Sequence, residues 1–206
     1  MVLRLGDEAP NFKAKTTKGE IDFHDFIKAD FTPVCTTELG EVARRHKDFT
    51  DRGVKVIGLS ANGLEDHEKW VDDINEVNNV TVNFPIIADA DRKVATLYDM
   101  LDHLDATNVD TKGIPFTVRN VFIIDPKKTI RLMITYPAST GRNFDEVIRV
   151  IDSLQLGDKH RITTPANWKK GDEVIIHPGV SNEEANELFP NYKTLKPYLR
   201  MTKSPF

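Results

Sequence analysis

Short apolar runs alternate along this chain with stretches in which apolar residues recur every three or four positions, the pattern of an α/β protein built on a mixed sheet. Val34, Leu39, Val42 and Phe49 mark one helical stripe, opened by Thr32 and Pro33 and stopped at Gly53. The apolar run Val54 to Ser60 predicts a buried strand. Asn62 is positioned to cap the next helix, whose inward side carries Trp70, Val71 and Ile74. Phe84 to Asp89 predicts a second strand, leading into a helix from Asp91 to Leu101. Thr117 to Ile124 and Ile130 to Tyr136 read as a hairpin closed by the turn Asp125-Pro126-Lys127-Lys128. Phe144, Val147, Ile148, Ile151 and Leu154 then stripe a long helix.

After Gly157 the pattern thins. From Thr163 to Phe206 there are five prolines (Pro165, Pro178, Pro190, Pro197 and Pro205), one short strand at Glu173 to His177 and one helix near Glu183 to Phe189. That segment reads as too small for a core of its own. The expected division is therefore a main domain over 1–158 and a C-terminal α+β arm over 159–206 that packs on the first or on a partner subunit.

Composition narrows the chemistry. The net charge of -4 offers no basic face for nucleic acid, and no apolar stretch reaches the roughly 18 residues of a membrane helix. The first residues, Met1 to Glu8, resemble neither a signal peptide nor a transit peptide, which points to the cytoplasm, with a mitochondrion after leader removal as the alternative. One cysteine excludes an internal disulfide. The six histidines lack the spacing of a zinc site, and His24 and His46 read as structural or surface residues. No cofactor or metal is implied.

That lone cysteine, Cys35, sits in Asp30-Phe31-Thr32-Pro33-Val34-Cys35-Thr36-Thr37-Glu38. With Thr32 as N-cap and Pro33 at the first helical position, Cys35 falls in the first turn, where free N–H groups and the helix dipole favour an anion. A lone intracellular cysteine is ordinarily a small buried hydrophobe. A sulfur at this place instead ionises below the usual value of about 8.5 and becomes a nucleophile. The Thr32 hydroxyl can both donate and accept. Arg119, at the head of an apolar strand, calls for a negatively charged partner.

The run DFTPVCTTELG resembles the active-site segment of the peroxiredoxins, in particular their one-cysteine branch. The resemblance continues through Gly113 to Arg119, through YPASTGRNFDEVIRVIDSLQL and into TPANWKKGDEVIIHP, covering almost the whole chain. It implies a thioredoxin-like fold, a central mixed sheet flanked by helices. It implies a thiol peroxidase that reduces hydrogen peroxide and organic hydroperoxides through a sulfenic acid on Cys35. An external thiol, from glutathione or the thioredoxin system, must regenerate the sulfur, because no second cysteine exists. The resemblance further implies a homodimer and assigns roles: Cys35 as nucleophile, Thr32 and Arg119 on the peroxide, Arg142 as the second arginine, and Glu38 as the acid orienting both guanidiniums. The alternatives are a dimeric scaffold or holdase that has lost turnover, and a peroxide sensor that passes oxidation to a partner.

One departure stands out. The family pattern places a buried strand and a Phe-Ser-His-Pro-like segment between the counterparts of Phe23-His24-Asp25-Phe26-Ile27 and Asp30-Phe31-Thr32. Here only Lys28 and Ala29 intervene, so about ten residues are missing. Lys28 takes the place of the family's proline, and the histidine beside it has no counterpart. Burying four to six apolar side chains of such a strand is worth on the order of 10 kcal/mol, the whole stability of a typical domain. Either the natural molecule carries residues absent from this sequence, the reading favoured by the intactness of every other segment, or Ile21 to Ile27 is recruited in their place. The same gap removes the serine segment that some relatives use to hydrolyse phospholipids. His24 matches the histidine of that activity and Lys127 stands where its aspartate would be, so the activity is not carried over.

Overall fold

A computed structural model describes residues 3–26, 36–102, 109, 113 and 117–205, with the side chain of Phe26 left out. It divides into two compact units, Met1–Arg142 and Asn143–Phe206. The division falls before the long helix, whereas the sequence pattern places it after residue 158.

In the first unit, β1 (Lys13–Thr16) and β2 (Gly19–Asp22) form an antiparallel hairpin. The positive φ of Gly19, 102°, suits the turn that joins them. A single helical turn, α1 (Phe23–Phe26), follows. The predicted cysteine-bearing helix is interrupted at Arg45, leaving α2 (Thr36–Arg44) and α3 (His46–Thr50), with Leu39, Val42 and Phe49 buried as the stripe requires. Of the apolar run from Val54, only β3 (Gly58–Ser60) is paired. Helix α4 (Leu64–Asn78) begins after Gly63. Asn62 does not cap it, because its carboxamide oxygen accepts from the Ser60 hydroxyl at 3.2 Å instead.

Strand β4 (Ile86–Ala88) lies parallel to β3, in the register Leu59 to Ile87. Helix α5 (Lys93–Leu97) is shorter than the predicted span to Leu101. The Asp89 carboxylate anchors its start by accepting from the Val94 and Ala95 N–H groups at 2.9 and 2.8 Å. Asp99, with φ of 53°, turns the chain away soon after. The hairpin of β5 (Arg119–Ile124) and β6 (Ile130–Tyr136) forms as predicted. Its turn is closed by Asp125, whose carboxylate accepts from the Lys127 and Thr129 N–H groups at 2.9 and 3.0 Å.

Among the described residues the mixed sheet is present in two pieces. One has the order β2-β1-β4-β3, and the other is the β5-β6 hairpin alone. Among the described residues no strand pairs with the outer edge of β3 or of β5. Ile21 is not recruited there: β2 lies at the opposite border of the first piece. The two pieces meet through side chains, with Ile57, Leu59, Ile87, Phe122, Ile124 and Ile130 in one buried cluster. A stacked Phe12–Phe23 pair (4.5 Å) and an edge-to-face Tyr98–Phe122 pair (5.3 Å) complete it.

The second unit begins with α6 (Phe144–His160), capped by Asn143, whose side-chain oxygen accepts from the Asp145 and Glu146 N–H groups. A Cβ at Gly157 would stand 3.2 Å from the Ile162 carbonyl, a tight contact that glycine avoids. The sequence pattern showed one strand beyond this point; the structure has four, β7 (Ile162–Thr163), β8 (Val174–Ile176), β9 (Lys193–Lys196) and β10 (Leu199–Thr202), in one antiparallel sheet ordered β7-β8-β10-β9. Between β8 and β9 lies α7 (Asn182–Leu188), capped by Ser181. The tail does share a core, drawn in part from outside residues 163–206. Trp168, Val174, Ile176, Val180, Ala185 and Phe189 close on Leu156 and Ile162 in a buried cluster. The single Leu156 from α6 supplies what the tail alone lacks.

Candidate active site

Three of the residues singled out from the sequence converge in the first unit. Glu38 lies in the first turn of α2, Arg119 opens β5, and Arg142 follows β6. The Glu38 carboxylate accepts from Arg142 three times: from the backbone N–H at 2.9 Å, from Nε at 3.2 Å and from Nη2 at 2.9 Å. It also accepts from Arg119 Nη1 at 3.1 Å. The Arg142 side chain is wholly buried and Glu38 is 8% exposed, so these are desolvated, charge-assisted bonds.

Burying charge this deeply costs free energy unless every polar atom finds a mate. Backbone carbonyls complete the set: Arg142 Nη1 donates to Asn120 O at 2.8 Å, and Arg119 Nε donates to Ala138 O at 2.6 Å. The planar guanidinium makes this possible, since its donors form a rigid fork that a lysine lacks. Two guanidiniums held by one carboxylate fix a region of positive potential close to the start of α2.

Cys35 and Thr32 lie outside the described residues, as does the predicted cap. Covalent geometry alone limits their distance: three residues of chain span at most about 11 Å, so the Cα of Cys35 lies within that reach of the Cα of Glu38. Thr36, bonded to Cys35, is itself held from α4. Trp70 Nε1 donates to its hydroxyl at 2.7 Å, and Asn78 Nδ2 donates to its carbonyl at 3.2 Å. Sequence reading treated Trp70 only as an apolar residue and passed over Asn78 and Thr36. Indole N–H and carboxamide groups on the inward face of a helix were the signal available.

His24 keeps the structural role expected of it, with its Nε2 at 2.6 Å from the Ala9 carbonyl. His67, on the buried face of α4, was not singled out. It is fully buried against Trp70 (5.8 Å between rings), and neither ring nitrogen has a partner among the described residues. Burial pushes its pKa below the ordinary histidine value, only partly countered by Asp66. Among the described residues no three His, Cys, Asp or Glu side chains gather as a metal-ligand set, and no helix is long and apolar enough to cross a membrane.

Comparison with known proteins shows the family. The AhpC/TSA family model matches residues 5–133, and a model of the C-terminal domain of 1-Cys peroxiredoxin matches residues 153–191. The chain is 51% identical over 213 residues to a mitochondrial peroxiredoxin of Saccharomyces cerevisiae, covering 98% of this chain and 81% of the relative. It is 49% identical over 223 residues to peroxiredoxin-6 of Rattus norvegicus, covering 98% of each. Both alignments exceed the 206 residues of this chain, so each spans positions at which this chain has no residue. Among solved structures it is similar to a cysteine-to-serine mutant of peroxiredoxin 6 from Arenicola marina (TM-score 0.91, 43% identity, 98% of this chain and 99% of that one). It is also similar to the yeast mitochondrial 1-Cys peroxiredoxin, described with a thiol resolving mechanism via glutathione/thioredoxin systems (TM-score 0.87, 46% identity, 98% and 100%).

Proposed function

The chain belongs to the peroxiredoxins, in their one-cysteine branch, and from that premise we propose that Cys35 is the sulfur on which its peroxidase activity turns. The observation that carries this reading is the Glu38–Arg119–Arg142 cluster, built beside the chain that bears Cys35. A thiolate is the anion such a cluster suits, and so is the oxygen that departs when a peroxide bond breaks.

The cycle follows from the parts. The Cys35 thiolate attacks one peroxide oxygen, an S–O bond forms and the O–O bond breaks. The second oxygen leaves with the bonding pair and takes up a proton, as water or an alcohol. Thr32 orients the peroxide, and Arg119 stabilises the charge moving to the leaving oxygen. Glu38 and Arg142 hold Arg119 in place. Cys35 is left as a sulfenic acid. An external thiol condenses with it, releasing water and forming a mixed disulfide. A second thiol then releases Cys35 and carries away the oxidised pair.

Hydrogen peroxide and organic hydroperoxides are the substrates of this reading, and glutathione or a thioredoxin-type dithiol is the reductant, in keeping with the yeast relative. The molecule acts as a homodimer, with residues 159–206 as the arm that contributes to the subunit contact. Its place is the cytoplasm, or the mitochondrion as for the yeast relative. The test is Cys35→Ser. Peroxide consumption should fall on the order of a thousandfold, and a dimedone-type reagent should trap the oxidised wild type at this one cysteine. Consumption at the wild-type rate in the variant would overturn the assignment.

A further inference from the structure

Helix α4 does more than pack against α2. It grips the residue next to Cys35 at two atoms: the Thr36 hydroxyl accepts from Trp70 Nε1 at 2.7 Å, and the Thr36 carbonyl accepts from Asn78 Nδ2 at 3.2 Å. The same Asn78 amide also donates to the Ile74 carbonyl at 3.0 Å, which ties it to its own helix. Gly40 makes this close approach possible. Any Cβ at that position would overlap the Asn78 carboxamide. Trp70 is set in turn by the fully buried His67 ring beside it.

Such a device is expensive as mere packing. Two apolar side chains would join the helices as firmly without leaving an indole N–H and a carboxamide to satisfy. Hydrogen bonds add what apolar contact lacks, a fixed position along and around the axis of α2. We infer that Trp70 and Asn78 are positioning residues, which hold Thr36, the residue bonded to Cys35, and through it tune the reactivity of the Cys35 sulfur. The inference rests on Cys35 being the reactive sulfur. Trp70 and Asn78 act through the peptide bond between Thr36 and Cys35.

The decisive variants are Trp70→Phe, which keeps an aromatic ring and deletes the donor, and Thr36→Val, which deletes the acceptor. The first readout is the rate of alkylation of Cys35 by iodoacetamide against pH, unambiguous in a chain with one cysteine. Each variant should shift the profile to higher pH and slow both alkylation at neutral pH and peroxide reduction by roughly five- to tenfold, the worth of one hydrogen bond. The double variant should lose no more than either single one, as expected for two ends of one contact. Thr36→Ser, which keeps the hydroxyl, should retain wild-type behaviour. Unchanged alkylation profiles and peroxide rates in both variants, even with a lowered melting temperature, would overturn the inference and leave the contact as packing. Additive losses in the double variant would overturn it as well. Alkylation reads the sulfur whether or not peroxide is its partner, so the positioning role and the peroxidase assignment fail separately.

Discussion

The C-terminal unit holds its four strands in one hydrogen-bonded sheet, β7-β8-β10-β9, over a core centred on Trp168. The first unit, more than twice as long, divides the strands among its described residues between a four-stranded piece and a lone hairpin, and among those residues β3 and β5 meet through side chains without a ladder. The difference is instructive because the larger unit carries the proposed active site. Side-chain burial is non-directional and closes whatever space is offered. Only a ladder fixes register and satisfies the backbone of a buried strand. Among the described residues, then, the two pieces of the first unit are joined by burial rather than by a ladder. A polar tie adds to this burial: Glu38 on α2 binds Arg119 at the head of β5 and Arg142 beyond β6.

The sharpest way to break the comparison is to cut that tie. Glu38→Ala deprives a wholly buried guanidinium of its carboxylate and should cost about 3–5 kcal/mol, with calorimetry showing the loss in the transition of the first unit. Trp168→Ala, at a fully buried position, should cost a similar 3–5 kcal/mol, felt in the second unit. If both variants lower a single common transition, the two units do not unfold separately and the contrast is one of architecture only.

A smaller effect tests the divided sheet directly. Inserting an apolar strand of about ten residues between Lys28 and Ala29 buries side chains worth on the order of 10 kcal/mol, most of it offset by ordering entropy, for a net gain of a few kcal/mol. Amide exchange at β3 and β5 should slow at the same time. No change in either would mean that the inserted residues do not join the sheet. An intact mass of the natural protein above 23.4 kDa would show that such residues are present in the molecule.

The smallest effect comes from His67. Its pKa is lowered in the folded state by burial, so the unfolded chain binds a proton more readily. Stability is thus complete above the ordinary histidine value near 6.5 and is lost as pH falls toward the depressed folded value. Each unit of depression is worth about 1.4 kcal/mol. Denaturant melts between pH 7 and pH 5 should show this slope in the wild type and a flatter one in His67→Leu. Equal slopes would mean that another group governs the acid side.

Much of this was legible without coordinates. The β5-β6 hairpin followed from Asp125-Pro126 between two apolar runs, because turn chemistry is local. The stripe of Leu39, Val42 and Phe49 followed from helical period. Arg119 and Glu38 were named as partners from family resemblance, and they do meet. The strands of the tail were misjudged, since Lys193–Lys196 and Leu199–Thr202 are short, polar and separated by Pro197. Their pairing depends on β8, distant in sequence, and strand propensity is largely such context. Asn62 was misplaced as a cap because Ser60 claims it first.

What the sequence determined by itself was family, chemistry and the local elements: one sulfur, two arginines and an acid in a motif, with periodicities that set helix and strand. The tertiary structure alone decided which polar atoms share a proton donor across elements, as Arg142 with Asn120 O and Trp70 with Thr36. It alone decided, too, that α6 belongs with the tail. Hydrogen bonds over tens of residues depend on distances that close only when the chain has folded, and no period along a sequence encodes them.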